Sequence, residues 1–168
     1  MAGDGPPGAQ GFVLSQTDGQ PYAAPAPPEW SKALALEALQ VTETAFDLPD
    51  GNCQGFARGR EVAVSPIAAV PFKTLVHELA HVVLGHTLEH TMVDGDLTPR
   101  NIREVEAESV ALLVLGALNQ DGLEYCRGYI QHWLRGGEVP ERSAQRIFKA
   151  ADAILRAGRV VDAEQLAA

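Results

Sequence analysis

No apolar run in this chain of 168 residues is long enough to cross a bilayer as a helix. The N-terminus has neither a basic n-region nor an apolar h-region, so no signal peptide is expected. Cysteine is scarce. Cys53 and Cys126 lie far apart and form no C-x-x-C pair, so no disulfide framework follows, and reduced thiols in a cytosolic protein are expected. Positive charge is also scarce. Thirteen Lys and Arg face 22 Asp and Glu, for a formal charge of −9. That balance argues against nucleic acid and anionic membranes as partners, because phosphate binding needs clustered cations. Arg58, Arg60, Arg142 and Arg146 are too scattered in sequence to define a patch. No internal repeat is apparent.

What is present suits one soluble domain. The hydrophobic share of 46% is ordinary for a globular chain, and the length suffices for a core without staples. Residues 1–28 are rich in Gly, Pro, Ala and Gln and read as a flexible extension or linker, where another domain would attach. Within it, residues 12–15 have the character of a short strand. Residues 29–158 form the expected domain, and 159–168 a frayed tail. Helical character covers 29–40. Residues 41–46 alternate and are β-branched, as a strand requires. Two further short strands, 53–57 and 61–65, flank Arg58-Gly59-Arg60, so a small, mostly antiparallel sheet is expected. Thr98-Pro99 reads as an N-cap followed by proline at the first helical position, opening a helix to about 118. Two more helices are expected at 123–134 and 140–157, separated by Gly136-Gly137.

The stretch with chemistry attached is His77-Glu78-Leu79-Ala80-His81, an H-E-x-x-H pattern. On a helix the two histidines lie one turn apart on one face and can grip one metal ion. Glu78, beside them, can take a proton from a water that the metal acidifies. Pro71 suits the first position of that helix and Gly85 the position past its end. Phe72, Leu75, Val76, Leu79 and Val83 fall on one side; Thr74, His77, Glu78 and His81 fall opposite. Such a match can also be the solvated face of an ordinary helix. Ala80, Val82 and Leu84 border the polar stripe here, and a solvated face would be wider and more charged.

A catalytic zinc takes three protein ligands and leaves a position for water. The later helix carries Glu104-Val105-Glu106-Ala107-Glu108 in an otherwise apolar run, where unpaired charge is costly. Glu104 and Glu108 share a face, and Glu106 lies about 160° to 200° away. One of the pair can bind metal while the other accepts the free N–H of a ligand histidine. The plainer alternative is that these glutamates only complement the helix macrodipole. His86 and His90 are rival ligands. If the first helix continued, His86 would face away from the pair.

With these residues in view, the chain resembles gluzincin-type zinc peptidases, in which H-E-x-x-H is followed by E-x-x-A-E. More closely it resembles the ImmA/IrrE-like metallopeptidases and the C-terminal domain of ArdC-type antirestriction proteins. The likeness runs from about Gly11 to Gly158. It rests on Phe12-Val13-Leu14-Ser15-Gln16-Thr17-Asp18-Gly19, Leu75-Val76-His77-Glu78-Leu79-Ala80-His81 and Arg103-Glu104-Val105-Glu106-Ala107-Glu108-Ser109-Val110-Ala111. Gly128-Tyr129-Ile130 and Pro140-Glu141-Arg142-Ser143-Ala144 add weaker marks. The resemblance implies a zincin-like α+β fold, with a small antiparallel sheet, four to five helices and the H-E-x-x-H pattern on a central helix. It also implies a protein substrate of regulatory kind. In ArdC-type proteins a single-stranded-DNA-binding domain precedes this one; the likeness does not extend to it, so the resemblance implies no DNA binding for these residues.

The expected function is zinc-dependent peptide hydrolysis. His77, His81 and Glu104 hold the metal, Glu78 is the general base, and Glu108 orients a ligand. Glu104 is preferred to Glu106 because it has a same-face partner in Glu108 and begins the E-x-x-A-E segment. Tyr125, Tyr129 and His132 are candidates for stabilising the oxyanion by position alone. The rival reading is a non-catalytic antirestriction or regulatory module with a structural zinc, closed by His86 or His90; an intact Glu78 argues against it. No appreciable binding to single- or double-stranded DNA is expected at physiological salt. A sub-micromolar, steeply salt-dependent affinity for an oligonucleotide would contradict this.

Overall fold

The computed structural model describes residues 25–88 and 98–161. The segment 12–15, residues 1–10, His90 with the Asp94-Gly95-Asp96 connection, and the tail from 162 lie outside the described residues. Among the described residues, five helices and a three-stranded sheet make an α+β fold. Helix α1 (Lys32–Ala38) is capped by the Ser31 hydroxyl, which accepts from the Leu34 amide. Strands β1 (Thr42–Glu43), β2 (Gly55–Arg58) and β3 (Glu61–Val64) follow. Then come α2 (Pro71–Val83), α3 (Arg100–Ala117), α4 (Leu123–Leu134) and α5 (Glu141–Gly158). Among the described residues no helix is long and apolar enough to cross a membrane.

The sheet is mixed rather than antiparallel, which corrects the expectation from sequence. Its order is β1-β3-β2. β2 and β3 form an antiparallel hairpin, pairing Gly55 with Val64 and Arg58 with Glu61, and Gly59 turns between them at φ +58°. β1 instead pairs in parallel with the outer side of β3, Thr42 opposite Glu61. The long connection 44–54 carries the chain past the position that β3 takes, so β1 and β2 end on opposite edges. Alternation in sequence marks which face a residue occupies. It carries no information about strand direction. Arg60 fastens this arrangement by donating to the carbonyls of Gln40 and Leu39.

α2 lies against β2 and β3, and α3 lies against α2, α4 and α5. Leu75, Val76, Leu79 and Ala80 of α2 meet Val110, Ala111, Val114 and Leu115 of α3 and Ile147, Ala151 and Ile154 of α5 in one apolar core, with Val62 from the sheet. α3 begins at Arg100, one residue later than expected. Pro99 has ψ 147°, so it stands outside the helix, and its carbonyl accepts from Ile102 and Arg103. Thr98 makes no cap.

The two ends of the described body are tied together. The Trp30 indole donates to the Ile154 carbonyl at 3.1 Å and packs edge-on against Phe72. Ser31 and Val160 donate to the carbonyls of Gly158 and Glu29, so the chain stays attached to the body through residue 160. A methyl group at Gly158 would overlap the Trp30 indole. Gly158→Ala should therefore destabilise the fold by about 1–3 kcal/mol, as overpacking does. A melting temperature equal to the parent's would show that Trp30 is not held where this packing has it.

Candidate metal site

Pro71 starts α2 with a preset φ and no amide to leave unsatisfied, and the following thirteen-residue helix puts His77 and His81 one turn apart. α3 crosses this face and brings in Glu104. The His77 Nε2 to His81 Nε2 distance is 3.1 Å, and Glu104 Oε2 lies 3.6 Å and 3.5 Å from them. These three residues form a group that can hold a metal ion. Bonds of about 2.0–2.2 Å at a tetrahedral angle put neighbouring donors about 3.3 Å apart, so the observed triangle fits zinc without rearrangement. Two ring nitrogens and a carboxylate are also the donor set that catalytic zinc takes.

Glu78 is buried, although it belongs to the polar face of α2. The cover is β2. Gly55 comes so close that a Cβ there would lie 2.6 Å from Thr74 Cγ2 and 3.0 Å from Glu78 Oε1. Only glycine lets the strand approach this closely. Burial pushes the Glu78 carboxyl up to about 7, against the pull of His77 and Lys73 and with the repulsion of Glu104 and Glu108. Glu104 is held well below the usual carboxylate range: burial opposes its charge, but His77 and His81 outweigh that. The two carboxyls therefore hold opposite protonation tendencies within one site.

Glu108 sits behind His77. Its Oε1 is 3.2 Å from His77 Nδ1, off the line of a well-directed hydrogen bond, and 2.6 Å from Lys73 Nζ. Lys73 was not singled out in sequence; its ammonium neutralises a carboxylate that would otherwise be buried alone, and it also lies 4.9 Å from the Tyr129 ring centre. Glu106 faces away from the donor triangle, as helical spacing has it. Its carboxylate meets His86 Nε2 at 2.7 Å and Arg146 at 3.3 Å. His86 does not face away from the pair. α2 ends before it, Gly85 turns the chain at φ +76°, and His86 Nδ1 comes back to 3.0 Å from His81 Nδ1. A glycine past a helix end followed directly by histidine is the sequence signal that could have marked this return.

A groove of about 680 Å³ opens on the site, walled by the Gly51 to Gly55 segment on one side and by Tyr125, Tyr129 and Trp133 of α4 on the other. His132 is absent from this wall and packs against Trp133.

In the metal-free protein His77 is pushed up to about 9: burial favours the neutral ring, but the contacts with Glu104 and Glu108 outweigh it. The folded state then holds a proton that the unfolded chain releases near 6.5. Its contribution to stability is complete below pH 6.5 and fades as pH rises through about 9. A metal ion taken up at these donors must displace this proton. Metal uptake at neutral pH should release it, and apparent affinity should climb with pH up to about 9. Calorimetry in buffers of different ionisation enthalpy measures the release, and uptake without it at pH 7 would contradict the raised value.

No family model, no curated protein and no solved structure matches the chain.

Proposed function

We propose that this protein is a zinc-dependent metallopeptidase of zincin-like fold that hydrolyses peptide bonds in a protein substrate. The observation that carries the reading is the convergence of His77, His81 and Glu104 within ligand distance, with Glu78 buried beside them and a groove leading in. The resemblance to the ImmA/IrrE-like peptidases adds a regulatory protein as the substrate class.

His77 and His81 offer Nε2 and Glu104 offers Oε2 as ligands. Zinc bound there supplies a Lewis acid and lowers the pKa of a water to about 7. Glu78 takes the proton of the attacking water as its oxygen bonds to the peptide carbonyl carbon. It then returns that proton to the departing amine nitrogen as the C–N bond breaks. One group serves both steps best when its pKa lies near the working pH; in the metal-free protein burial pushes the Glu78 carboxyl up, and a bound dication would draw it back down. Tyr125 and Tyr129 line the groove wall and are the candidates to donate to the carbonyl oxygen as it gains charge. His86 cannot close the site as a fourth ligand while its two nitrogens face His81 and Glu106, which favours an open, catalytic centre over a structural one.

The test is zinc-loaded protein on a proteome-derived peptide mixture, with new termini counted by mass spectrometry. The parent should generate a discrete set of cuts. Glu78→Gln should keep zinc against a competing chelator and cut about 10²–10⁴ times more slowly. Equal cutting by the variant would remove Glu78 as the base. A zinc-loaded parent that cuts nothing would favour the binding-module reading.

A further inference from the structure

We propose that His86, held by Glu106 and Arg146, is a positioning residue that sets the tautomer and ring angle of His81, so that His81 presents a bare Nε2 to the metal site. The inference rests on the metal-site reading above.

The directions of the hydrogen bonds force this. Arg146 can only donate. One of its nitrogens meets Glu106 Oε1 at 3.3 Å, and another donates to the Leu84 carbonyl at 2.7 Å. Ionised, Glu106 can only accept. It is fully buried, and the Arg146 guanidinium lies against it to balance its charge. His86 Nε2, 2.7 Å from Glu106 Oε2, must therefore be the donor. A neutral imidazole has one N–H only, and that hydrogen is used at Nε2. Its Nδ1 is then an acceptor, and the atom 3.0 Å away, His81 Nδ1, must carry the hydrogen. A neutral His81 with its proton on Nδ1 has its lone pair on Nε2, the atom that faces His77 and Glu104.

The position of His86 is itself over-determined. The turn at Gly85 is closed by the His86 amide donating to the His81 carbonyl at 2.9 Å. The His86 carbonyl accepts from Arg103 at 3.4 Å. The ring is 4% exposed. His77 has a different backing, Glu108 and Lys73, so each candidate ligand histidine has its own buried carboxylate with its own cation. On the His81 side an imidazole stands between ligand and carboxylate.

A network of this kind can also serve only to tie α2, α3 and α5 together. Tautomer and chemical rescue separate the two roles. In the metal-free full chain, at a pH where both rings are neutral, long-range ¹H–¹⁵N correlation should show the His81 proton on Nδ1. His86→Phe should move it to Nε2 and weaken zinc binding, read against a competing chelator, by about 10–100-fold. His86→Gln should keep affinity close to the parent's, because its amide offers an oxygen to His81 and an N–H to Glu106. Glu104→Ala, which removes a ligand, should lose zinc altogether. A parent His81 protonated on Nε2 overturns the proposal, and needs no variant to fold. So does a His86→Phe protein that binds zinc as tightly as the parent, or an equal loss in the Phe and Gln variants. A parent that binds no zinc would remove the metal-site reading instead, while the metal-free tautomer still decides the relay.

Discussion

The packing of this protein depends on where three carboxylates of α3 find positive partners. Glu106 is completely buried and Glu108 nearly so, in a helix whose other inward positions are apolar. A charge left alone in such a place costs several kcal/mol. Glu108 is met by Lys73 and His77 of α2; Glu106 is met by His86, beyond the end of α2, and by Arg146 of α5. These pairings sit on opposite faces of α3. Rotating α3 by a quarter turn would take both carboxylates away from their partners, so the same contacts that neutralise the charges also fix the register in which α2, α3 and α5 pack. Glu104 reaches the two histidines as a consequence of that register.

Four glutamates within this small region differ in their readiness to ionise, and the difference is environmental. Glu104, Glu106 and Glu108 each face an imidazole or a cation at close range and are held low. Glu78 is buried without a dedicated hydrogen-bonded cation, under the backbone of β2, and is pushed up to about 7. Groups of one chemical type driven apart in this way are what acid–base chemistry near neutrality requires. The covering strand matters as much as the carboxylate. Gly55 lets β2 lie almost on Glu78, and a larger residue would lift the strand and rewet the carboxyl.

Much of the secondary structure was legible in the residues. Pro71 opens α2, the two short strands around Arg58-Gly59-Arg60 mark the hairpin, and Gly136-Gly137 follows the end of α4. These are local signals, set by dihedral preference and hydrophobic period. The spacing of His77, Glu78 and His81 on one helix face is local in the same sense. The pairing of Glu104 and Glu108 followed from helical spacing as well, and the structure brings Glu104 to the histidines and Glu108 behind His77.

The sequence alone therefore determined the helices, the face that carries the histidines and the shared face of Glu104 and Glu108, because each depends on residues at most a few positions apart. Only the tertiary structure decided the rest. The direction of β1 depends on a connection passing over a strand that comes later in the chain. The burial of Glu78 depends on a strand more than twenty residues before it. The return of His86 to His81 needed a left-handed turn at Gly85 and a carboxylate twenty residues later to hold the ring. Such contacts join segments distant in sequence, and no local pattern encodes which distant partner will satisfy a buried charge.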